Sequence, residues 1–596
     1  MFQSFEVTAR PEQGPPRLAA LRAEIAAEGL DGFLVPRADA HQGEYVSARD
    51  ERLAWLTGFT GSAGFAAVLQ DVAGVFIDGR YRTQVKAQVA DVYTPVPWPD
   101  VGLADWLKQL MPDGGRVGFD PWLHTPGQME QAREGLAGSA IDLVQCPNLV
   151  DRIWADQPGP AAKPAKVHPL EFAGESHEDK RARLGRALAD AGAACAVITL
   201  PDSICWLLNI RGADIPRNPI AQGFAILQTD GAVDLFMDHA KLDEVRDHLG
   251  DGVACHMPDA FLAALEGLEG PVRLDKSSVP VIVADTIGDR VQWGDDPCAL
   301  PKACKNAAEI AGSAAAHLRD GAAVVELLAW LDSQTPGSLT ETKVVGQLEG
   351  FRRRDNALQD ISFDTIAGTG PNGAIMHYRV TEETDRTLQD GQLIVLDSGG
   401  QYLDGTTDIT RTIAIGTPPD EARAAFTRVL MGMIAMSRLI WPKGLAGRDI
   451  EAIGRAPLWY AHQDFDHGLG HGVGAYLSVH EGPQRLSRVS SVPFQPGMIL
   501  SNEPGYYREG AFGIRIENLL VVEAAKAPEG GDAHREMLCW RTLTYAPIDR
   551  RLIVAQMLDG PSRDWLNAYH ADTLALIGPR VSDAARGWLA EACRPL

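Results

Sequence analysis

The hydrophobic pattern changes its period repeatedly along the first part of the chain, as it does in proteins that alternate helices and strands. Residues 16–29 have the spacing of an amphipathic helix, and the apolar run 32–36 predicts a strand. Residues 67–78 predict a β-hairpin that ends at Asp78, and the apolar run 193–200 predicts a buried strand. The sequence therefore predicts the α/β (α+β) class.

Two stretches repeat the same features in the same order. GFAAVLQDVAGVFID (64–78) resembles GFAILQTDGAVDLFMD (223–238), with Phe76 aligned to Phe236. The other shared anchors are Trp55-Leu56 with Trp206-Leu207, and Gly64-Phe65-Ala66 with Gly223-Phe224-Ala225. Any two hairpins share some features, but these anchors favour two similar α/β domains in tandem.

Two breaks in composition divide the chain into three predicted domains. Residues 151–169 are rich in Pro and Ala and lack periodicity, which is typical of a linker. A second break at 295–306 precedes a long helical pattern over 307–333. The predicted domains are 1–158, 159–304 and 305–596, the last with a C-terminal extension from about 538.

Composition excludes several classes of function. The chain has 596 residues, of which 45% are hydrophobic and 22% charged, and a formal net charge of −24. This charge disfavours nucleic acids and anionic membranes as partners. The eight cysteines are scattered without a CxxC motif, so reduced thiols are expected. We find neither a signal-peptide pattern nor a run of about 18 apolar residues, and we expect a cytoplasmic protein.

Candidate chemistry is concentrated in the third domain. Four carboxylates and one imidazole lie in segments that are glycine-rich or have the pattern of a strand: Asp397 in LIVLDSGG, Asp408 in TTDITRT, His471 in HGLGHGVG, Glu503 in SNEPGYY and Glu517 in GIRIENLL. Four converging carboxylates would repel one another without cations. Oxygen-rich ligation with one imidazole fits two divalent ions, Mn²⁺ first and then Co²⁺ or Zn²⁺. The set predicts a hydrolase that uses a two-metal-activated hydroxide.

Asp397 and Asp408 lie on two strands that a short turn would join. Asp404-Gly405 is a strong signal for a two-residue turn. That register would leave the two aspartates about 13 Å apart along the strands. We therefore expect a longer loop, or a bulge at Gly399-Gly400, to move them opposite each other.

Three further histidines and one arginine lie near these residues in sequence. His377 is in NGAIMHYR, while His467 and His480 flank His471. A single histidine is more often an ordinary surface or core residue, but an imidazole near the proposed ligands would suit substrate positioning or proton transfer. Strand alternation places Arg515 on the same face as Glu517.

The motifs resemble those of the aminopeptidase P family, in its long three-domain form, within metallopeptidase family M24 of the creatinase/methionine aminopeptidase (pita-bread) superfamily. In the third domain the matching segments are GPNGAIMHY (370–378), LDSGGQYLDGTTDITRT (396–412), HGLGHGVGAYLSVHEGP (467–483) and NEPGYYREGAFGIRIEN (502–518). Outside it they are DAHQGEYV (39–46), GFTGSAG (58–64), DGRY (78–81) and NIRGADIPRNP (209–219). The resemblance covers nearly the whole chain.

The resemblance implies two creatinase-type N-terminal domains, a pita-bread catalytic domain, two metal ions that are usually Mn²⁺, and a homodimer. It implies cleavage of the N-terminal Xaa–Pro bond of peptides. The implied metal ligands are Asp397, Asp408, His471, Glu503 and Glu517. Glu503 would also act as general base, and His377 or His480 would stabilise the oxyanion. His467 would help to hold the substrate, and Arg515 corresponds to the family's arginine two residues before the last ligand.

Two other functions remain open at this point. Prolidases cut Xaa-Pro dipeptides on the same catalytic fold, although the three-domain length favours an aminopeptidase. Some pita-bread domains only bind protein partners, but such proteins typically lose metal ligands.

Overall fold

The N-terminal part of the chain begins with a six-stranded mixed sheet. The computed structural model describes residues 1–355, 357–532 and 534–596. The strands are β1 Gly32–Pro36, β2 Phe65–Leu69, β3 Ala73–Ile77, β4 Thr94–Pro97, β5 Gly115–Phe119 and β6 Ile141–Gln145. The helices are α1 Gly14–Ala27, α2 Arg52–Thr57, α3 Gln84–Gln88, α4 Leu103–Leu110, α5 Pro126–Gly135 and α6 Leu149–Ile153. The strand order is β4-β3-β2-β1-β5-β6.

A second sheet of the same size follows. Its strands are β8 Cys195–Ile198, β10 Phe224–Gln228, β11 Val233–Phe236, β12 Val253–His256, β13 Val272–Leu274 and β14 Val291–Trp293. The short β7 Lys166–Val167 pairs with β9 Ile210–Arg211 outside this sheet. The helices are α7 Leu170–Ala173, α8 His177–Asp190, α9 Pro201–Leu207, α10 Arg246–Leu249, α11 Phe261–Glu266 and α12 Val281–Ile287.

The two sheets share one topology. The second has the order β12-β11-β10-β8-β13-β14, which matches the first strand for strand. Corresponding neighbours also run in the same relative directions. Phe65 pairs with Phe76 in the first hairpin, and Phe224 pairs with Phe236 in the second. The predicted tandem duplication is confirmed.

The remainder of the chain corresponds to the third predicted domain. Its helices are α13 Ala299–Ala303, α14 Ala307–Asp332, α15 Glu341–Arg352, α16 Asp420–Ser437, α17 Gly447–Trp459, α18 Gly560–Ile577 and α19 Asp583–Ala592. Its strands are β15 Leu358–Ile361, β16 Ile366–Thr369, β17 Leu393–Ser398, β18 Gly400–Tyr402, β19 Gly405–Thr406, β20 Ile409–Ala414, β21 Ile440–Pro442, β22 Gly470–Gly472, β23 Glu481–Leu486, β24 Ile499–Asn502, β25 Gly505–Arg508, β26 Phe512–Arg515, β27 Asn518–Ala524 and β28 Met537–Thr542.

These strands form four sheets in this part of the chain. Two have three strands each, β16-β17-β20 and β15-β18-β19, and one has six, β21-β28-β27-β24-β22-β23. The fourth is the pair β25-β26. The long helix predicted over 307–333 is α14, which Asn306 and Glu309 cap reciprocally. The predicted helical tail contains α18.

The chain divides into two compact units. The C-terminal unit contains Met1–Val7, Glu171–Gly174 and Leu300–Leu596, and the N-terminal unit contains Thr8–Leu170 and Glu175–Ala299. Within the described residues, we find no helix with both the length and the apolarity that a membrane crossing requires.

Side-chain alternation positions the site on β17. Ile394 and Leu396 enter the core cluster that includes α14 and α15, whereas Leu393 enters the cluster around α16. Because alternate residues of a strand face opposite sides, Asp397 projects on the side of Leu393.

Candidate metal centre

Two sheets of the C-terminal unit contribute the five predicted ligand residues. Asp397 lies in β17, Asp408 directly precedes β20, His471 lies in β22, Glu503 directly follows β24, and Glu517 lies between β26 and β27. The backbone N–H of Glu517 donates to the carbonyl of Thr410 at 3.1 Å, which joins the two groups of strands.

The register between Asp397 and Asp408 differs from the one expected. Tyr402 pairs with Gly405, so the turn is Leu403-Asp404, one residue earlier than predicted. Asp397 consequently pairs with Thr410, and Asp408, two residues away, faces the same side. Both predicted alternatives, a longer loop and a bulge at Gly399-Gly400, were wrong. The turn has two residues, and the same register continues from β18–β19 into β17–β20 without an extra residue.

The shift of the turn has a tertiary cause. A Cβ atom on Gly405 would lie 2.9 Å from Cα of Ser313 and 3.3 Å from Cβ of Ala316, both in α14. Gly405 therefore allows close packing of β19 against α14 and is not needed in the turn itself.

The ligand-type atoms converge. His471 Nε2 lies 3.5 Å from Asp408 Oδ2 and 3.4 Å from Glu503 Oε1. One ligand-type atom each from Asp408, His471 and Glu517 lies within 4.8 Å of the other two. Burial, followed by the negative charges of Asp397 and Glu503, raises the pKa of Asp408 well above its usual range. Asp397 thus belongs to the same electrostatic cluster.

In the described part of the chain, three carboxylate oxygens of this cluster are buried without a hydrogen-bond partner: Asp397 Oδ1, Asp408 Oδ1 and Glu517 Oε1. Burial and the neighbouring carboxylates also raise the pKa of Glu517 well above its usual range. Burying a carboxylate without a partner lowers the free energy of unfolding by about several kcal/mol. Three such oxygens beside an imidazole are the donor set that two divalent cations would satisfy.

Arg515 connects the cluster to an aromatic hydroxyl. Its guanidinium donates to Asp397 Oδ2 at 2.6 Å and to Tyr507 Oη at 2.6 Å. The Tyr507 hydroxyl lies 2.9 Å from His467 Nε2, and His467 Nδ1 lies 2.7 Å from the carbonyl of Gly468. Because a carbonyl only accepts, Nδ1 carries a hydrogen, and in the neutral imidazole Nε2 then accepts from the Tyr507 hydroxyl. The series therefore has one direction, from Arg515 to Tyr507 to His467.

Sequence reasoning missed Tyr507. Burial raises the pKa of its hydroxyl to about 12, with Arg515 opposing the shift, so the hydroxyl stays protonated at physiological pH. Its pairing across β25–β26 with Gly513, two residues before Arg515, is the signal that would have placed it near the site.

Hydroxyl groups orient the carboxylates. Thr410 Oγ1 donates to Glu517 Oε2 at 2.7 Å, and Ser501 Oγ donates to Glu503 Oε1 at 2.9 Å while accepting from the backbone N–H of His471 at 2.9 Å. Thr412 Oγ1 accepts from the backbone N–H of Arg515 at 3.0 Å. The alternating threonines of TTDITRT in the sequence indicate such hydroxyl groups, but the sequence analysis did not predict their role.

The three additional histidines are placed differently. The ring of His480 lies edge-on to that of His471, with centroids 4.2 Å apart. His467 Nδ1 lies 4.0 Å from Glu503 Oε2. His377 is half-buried, and it follows a 3₁₀ turn at Gly370–Ala374 that packs against β26. The catalytic roles of all three stay predictions.

Arg411 ties the site strand to the C-terminal segment. It is buried, and its guanidinium donates to the carbonyl of Glu517 at 2.6 Å, to the carbonyl of Ala546 at 2.8 Å and to the hydroxyl of Tyr569 in α18 at 2.8 Å. The tail after about 538 is thus joined directly to the strand that follows Asp408.

Family models match nearly the whole chain. Residues 17–153 and 156–309 match creatinase/prolidase N-terminal domains, 303–524 match metallopeptidase family M24, and 536–596 match the C-terminal region of that peptidase family. Aminopeptidase P2 of Arabidopsis thaliana is 37% identical and is aligned over 95% of this chain and 86% of the relative. The chain belongs to metallopeptidase family M24.

Other M24 relatives match over a similar length. A probable Xaa-Pro aminopeptidase P of Laccaria bicolor is 37% identical over 97% of this chain and 93% of the relative. The crystal structure of X-prolyl aminopeptidase from Caenorhabditis elegans, described as a cytosolic enzyme with a di-nuclear active site, superimposes with a TM-score of 0.93. That match has 32% identity and covers 98% of this chain and 99% of the other. The fold is the predicted one: two creatinase-type domains followed by a pita-bread peptidase domain.

Proposed function

We propose that this M24 protein is a two-metal aminopeptidase that removes the first residue from peptides with proline in the second position. The observation that carries the proposal is the convergence of Asp408, His471 and Glu517. Among the described residues, one buried oxygen each of Asp408, Glu517 and Asp397 has no hydrogen-bond partner. The names of the full-length relatives support the choice of substrate.

Asp397, Asp408, His471, Glu503 and Glu517 would hold the two ions, and Mn²⁺ is proposed because hard carboxylate oxygens dominate the set. When bound, the ions would supply a Lewis acid for the scissile carbonyl and would lower the pKa of the attacking water.

Glu503 is proposed as the general base. Burial raises the pKa of its carboxyl, with His471 and Arg515 opposing the shift. Ser501 holds one of its oxygens. Glu503 would take a proton from the attacking water and later return it to the proline nitrogen, which has no hydrogen in the intact X–Pro bond.

His480 or His377 would donate a hydrogen bond to the oxyanion that forms at the carbonyl. The two ring nitrogens of His467 lie at hydrogen-bonding distance from Tyr507 and Gly468. This geometry favours a role for His467 in orienting Tyr507 as well as in contacting the substrate.

Hydrolysis of a short Xaa-Pro-Pro peptide, measured with and without Mn²⁺, tests the function. Chelation should abolish turnover, and Mn²⁺ should restore it. Full activity in excess chelator would refute the two-metal proposal. Comparison of Xaa-Pro with Xaa-Pro-Xaa substrates separates an aminopeptidase from a prolidase, and metal analysis giving near-zero stoichiometry would favour a non-catalytic binder.

The Glu503→Ala variant tests the base. It should lose nearly all turnover, since general acid–base catalysis typically supplies about 10²–10⁴-fold. A variant that keeps about a tenth of the wild-type rate would contradict the assignment.

A homodimer in the cytoplasm is proposed as the working form. Tyr460 and Val489 are 86% and 84% exposed, and the Arg488 guanidinium lies 5.6 Å from the centre of the neighbouring Trp459 ring. An exposed patch of this kind is typical of interaction surfaces. Among the described residues, which include all eight cysteines, none forms a disulfide, as is usual in a reducing compartment. Light scattering of the purified protein and fractionation of cells test the two proposals.

A further inference from the structure

Glu341, the first residue of α15, is a completely buried carboxylate outside the metal centre. Its Oε1 accepts from the backbone N–H of Thr369 at 2.7 Å, and its Oε2 accepts from the Tyr378 hydroxyl at 2.8 Å and from the backbone N–H of Arg386 at 3.1 Å. The Asn372 amide donates to both oxygens, at 3.1 and 3.0 Å. Four donors therefore surround one side chain.

These donors are all neutral groups. Among the described residues, no cationic side chain forms an ion pair with Glu341, and burial raises the pKa of its carboxyl to about 7. The N-terminal end of α15 offsets only part of the cost of burying the charge. An apolar side chain in this position would leave the backbone N–H groups of Thr369 and Arg386 without this acceptor. The carboxylate therefore serves to hold the groups that donate to it.

The donors belong to a single segment. Thr369 begins it, Arg386 ends it, and Tyr378 lies in its middle, directly after His377. Thr384 links two of these donors within the segment, since its carbonyl lies 3.0 Å from both Asn372 Nδ2 and Tyr378 Oη. One carboxylate thus fixes both ends and the centre of residues 369–386.

The same segment lies against the strands that carry the site. A Cβ atom on Gly513 of β26 would lie 1.7 Å from the carbonyl oxygen of Gly373, and a Cβ atom on Gly373 would lie 3.5 Å from Val395 Cγ2 in β17. Two glycines therefore permit backbone contact between the segment and the strands that hold Arg515 and Asp397.

We infer that Glu341 is a positioning residue: it anchors residues 369–386 to α15 and thereby fixes His377 relative to the metal centre. The inference rests on the proposed function, because His377 matters only if the site hydrolyses peptides. Glu341 acts through Tyr378 and through the backbone on either side of it.

The Glu341→Gln variant is the first test. In either orientation of the glutamine amide, its NH₂ group faces the backbone N–H of Thr369 or of Arg386, so one hydrogen bond is lost. The expected result is a roughly tenfold lower kcat with KM within about twofold, at unchanged metal content. Amide hydrogen exchange in residues 369–386 of the metal-free variant should become faster.

A double-mutant cycle separates positioning from general damage. His377→Ala alone should lower kcat, and adding Glu341→Gln should lower it no more than about twofold further, because the two changes remove the same contribution. Multiplicative losses, or unchanged exchange in the segment, would overturn the inference. An inactive wild-type protein with full metal content would instead refute the proposed function. Amide hydrogen exchange in residues 369–386 would then still test whether Glu341 anchors this segment.

Two further variants complete the test. Glu349→Gln is the matched control, because Glu349 is another buried carboxylate on α15 that accepts from the backbone N–H of Phe2 at 2.9 Å; kcat and exchange in 369–386 should stay near wild-type values. If Glu341→Gln does not fold, Tyr378→Phe removes one donor without a change of charge. It should give a smaller loss of kcat that also disappears in the His377→Ala background, and an additive loss would overturn the inference.

Discussion

Arg515 and Asp397 form a buried ion pair that uses only one of the two carboxylate oxygens. A guanidinium nitrogen lies 2.6 Å from Asp397 Oδ2, whereas Asp397 Oδ1 has no hydrogen-bond partner among the residues that the structure describes. The arginine therefore orients the carboxylate and leaves its other oxygen for a cation.

The Arg515→Lys variant should lose most activity although it keeps the charge. Arg515 donates to Asp397, Tyr507 and Thr410 from three different nitrogens, and a lysine ammonium cannot reach all three from one point. We expect kcat/KM to fall about 10–100-fold, the range seen when partners of metal ligands are removed. Peptide hydrolysis and mass-spectrometric metal analysis measure the effect, and a variant with wild-type kinetics would contradict this role.

The Tyr507→Phe variant tests the hydroxyl between Arg515 and His467. Its loss leaves a guanidinium N–H without an acceptor and His467 Nε2 without a donor. We expect roughly a tenfold lower kcat, in line with the loss of a buried hydrogen-bonding group near a reactive site. Tyr506→Phe, on the adjacent residue, should remain within about twofold of wild type. Equal effects of the two changes would show that the hydroxyl of Tyr507 has no special role.

Glu341 should make stability depend on pH between about 4.5 and 7. Its pKa is about 7 in the folded chain against 4.5 as the ordinary value, so the folded state binds the extra proton. Its contribution to stability is fully present below about pH 4.5 and is lost as pH rises towards 7, by about 3 kcal/mol at most. Chemical denaturation of wild type and Glu341→Gln at several pH values measures the difference between them, which should shrink or reverse as pH rises. A difference independent of pH would exclude this titration.

Arg411→Lys should destabilise the C-terminal unit. The guanidinium satisfies carbonyls from three separate segments and the hydroxyl of Tyr569, and a lysine would leave several of these buried acceptors unpaired. We expect a loss of about 3 kcal/mol or more. Denaturant unfolding measures it. Arg586→Lys, at an exposed pair with Asp583, should cost less than about 0.5 kcal/mol; similar losses for both variants would contradict the special place of Arg411.

Local sequence patterns predicted much of the architecture. The strand period predicted that Asp397 lies near the end of β17 and that Glu503 directly follows β24. The shared Trp-Leu and Gly-Phe-Ala anchors, together with the alignment of Phe76 with Phe236, predicted the duplicated domains, because these features recur in the same order in both segments. These features need only neighbours in sequence, which is why sequence reasoning could reach them.

Sequence analysis did not predict the features that depend on contacts between residues far apart in the chain. Asp404-Gly405 is a strong local turn signal, yet packing of Gly405 against α14 moves the turn by one residue and the register by two. Tyr507 and Glu341 were missed for a similar reason. Tyr378 is 37 positions from Glu341 in sequence, and nothing in either local sequence indicates that the two side chains meet.

The bond between Arg411 and Tyr569 has a consequence for biosynthesis. Because Tyr569 lies 158 positions after Arg411, this hydrogen bond to the strand that follows Asp408 forms only after all of the intervening chain has been synthesised. A nascent chain would thus hold an unfinished hydrolytic centre, and its assembly would await closure of this late, long-range contact.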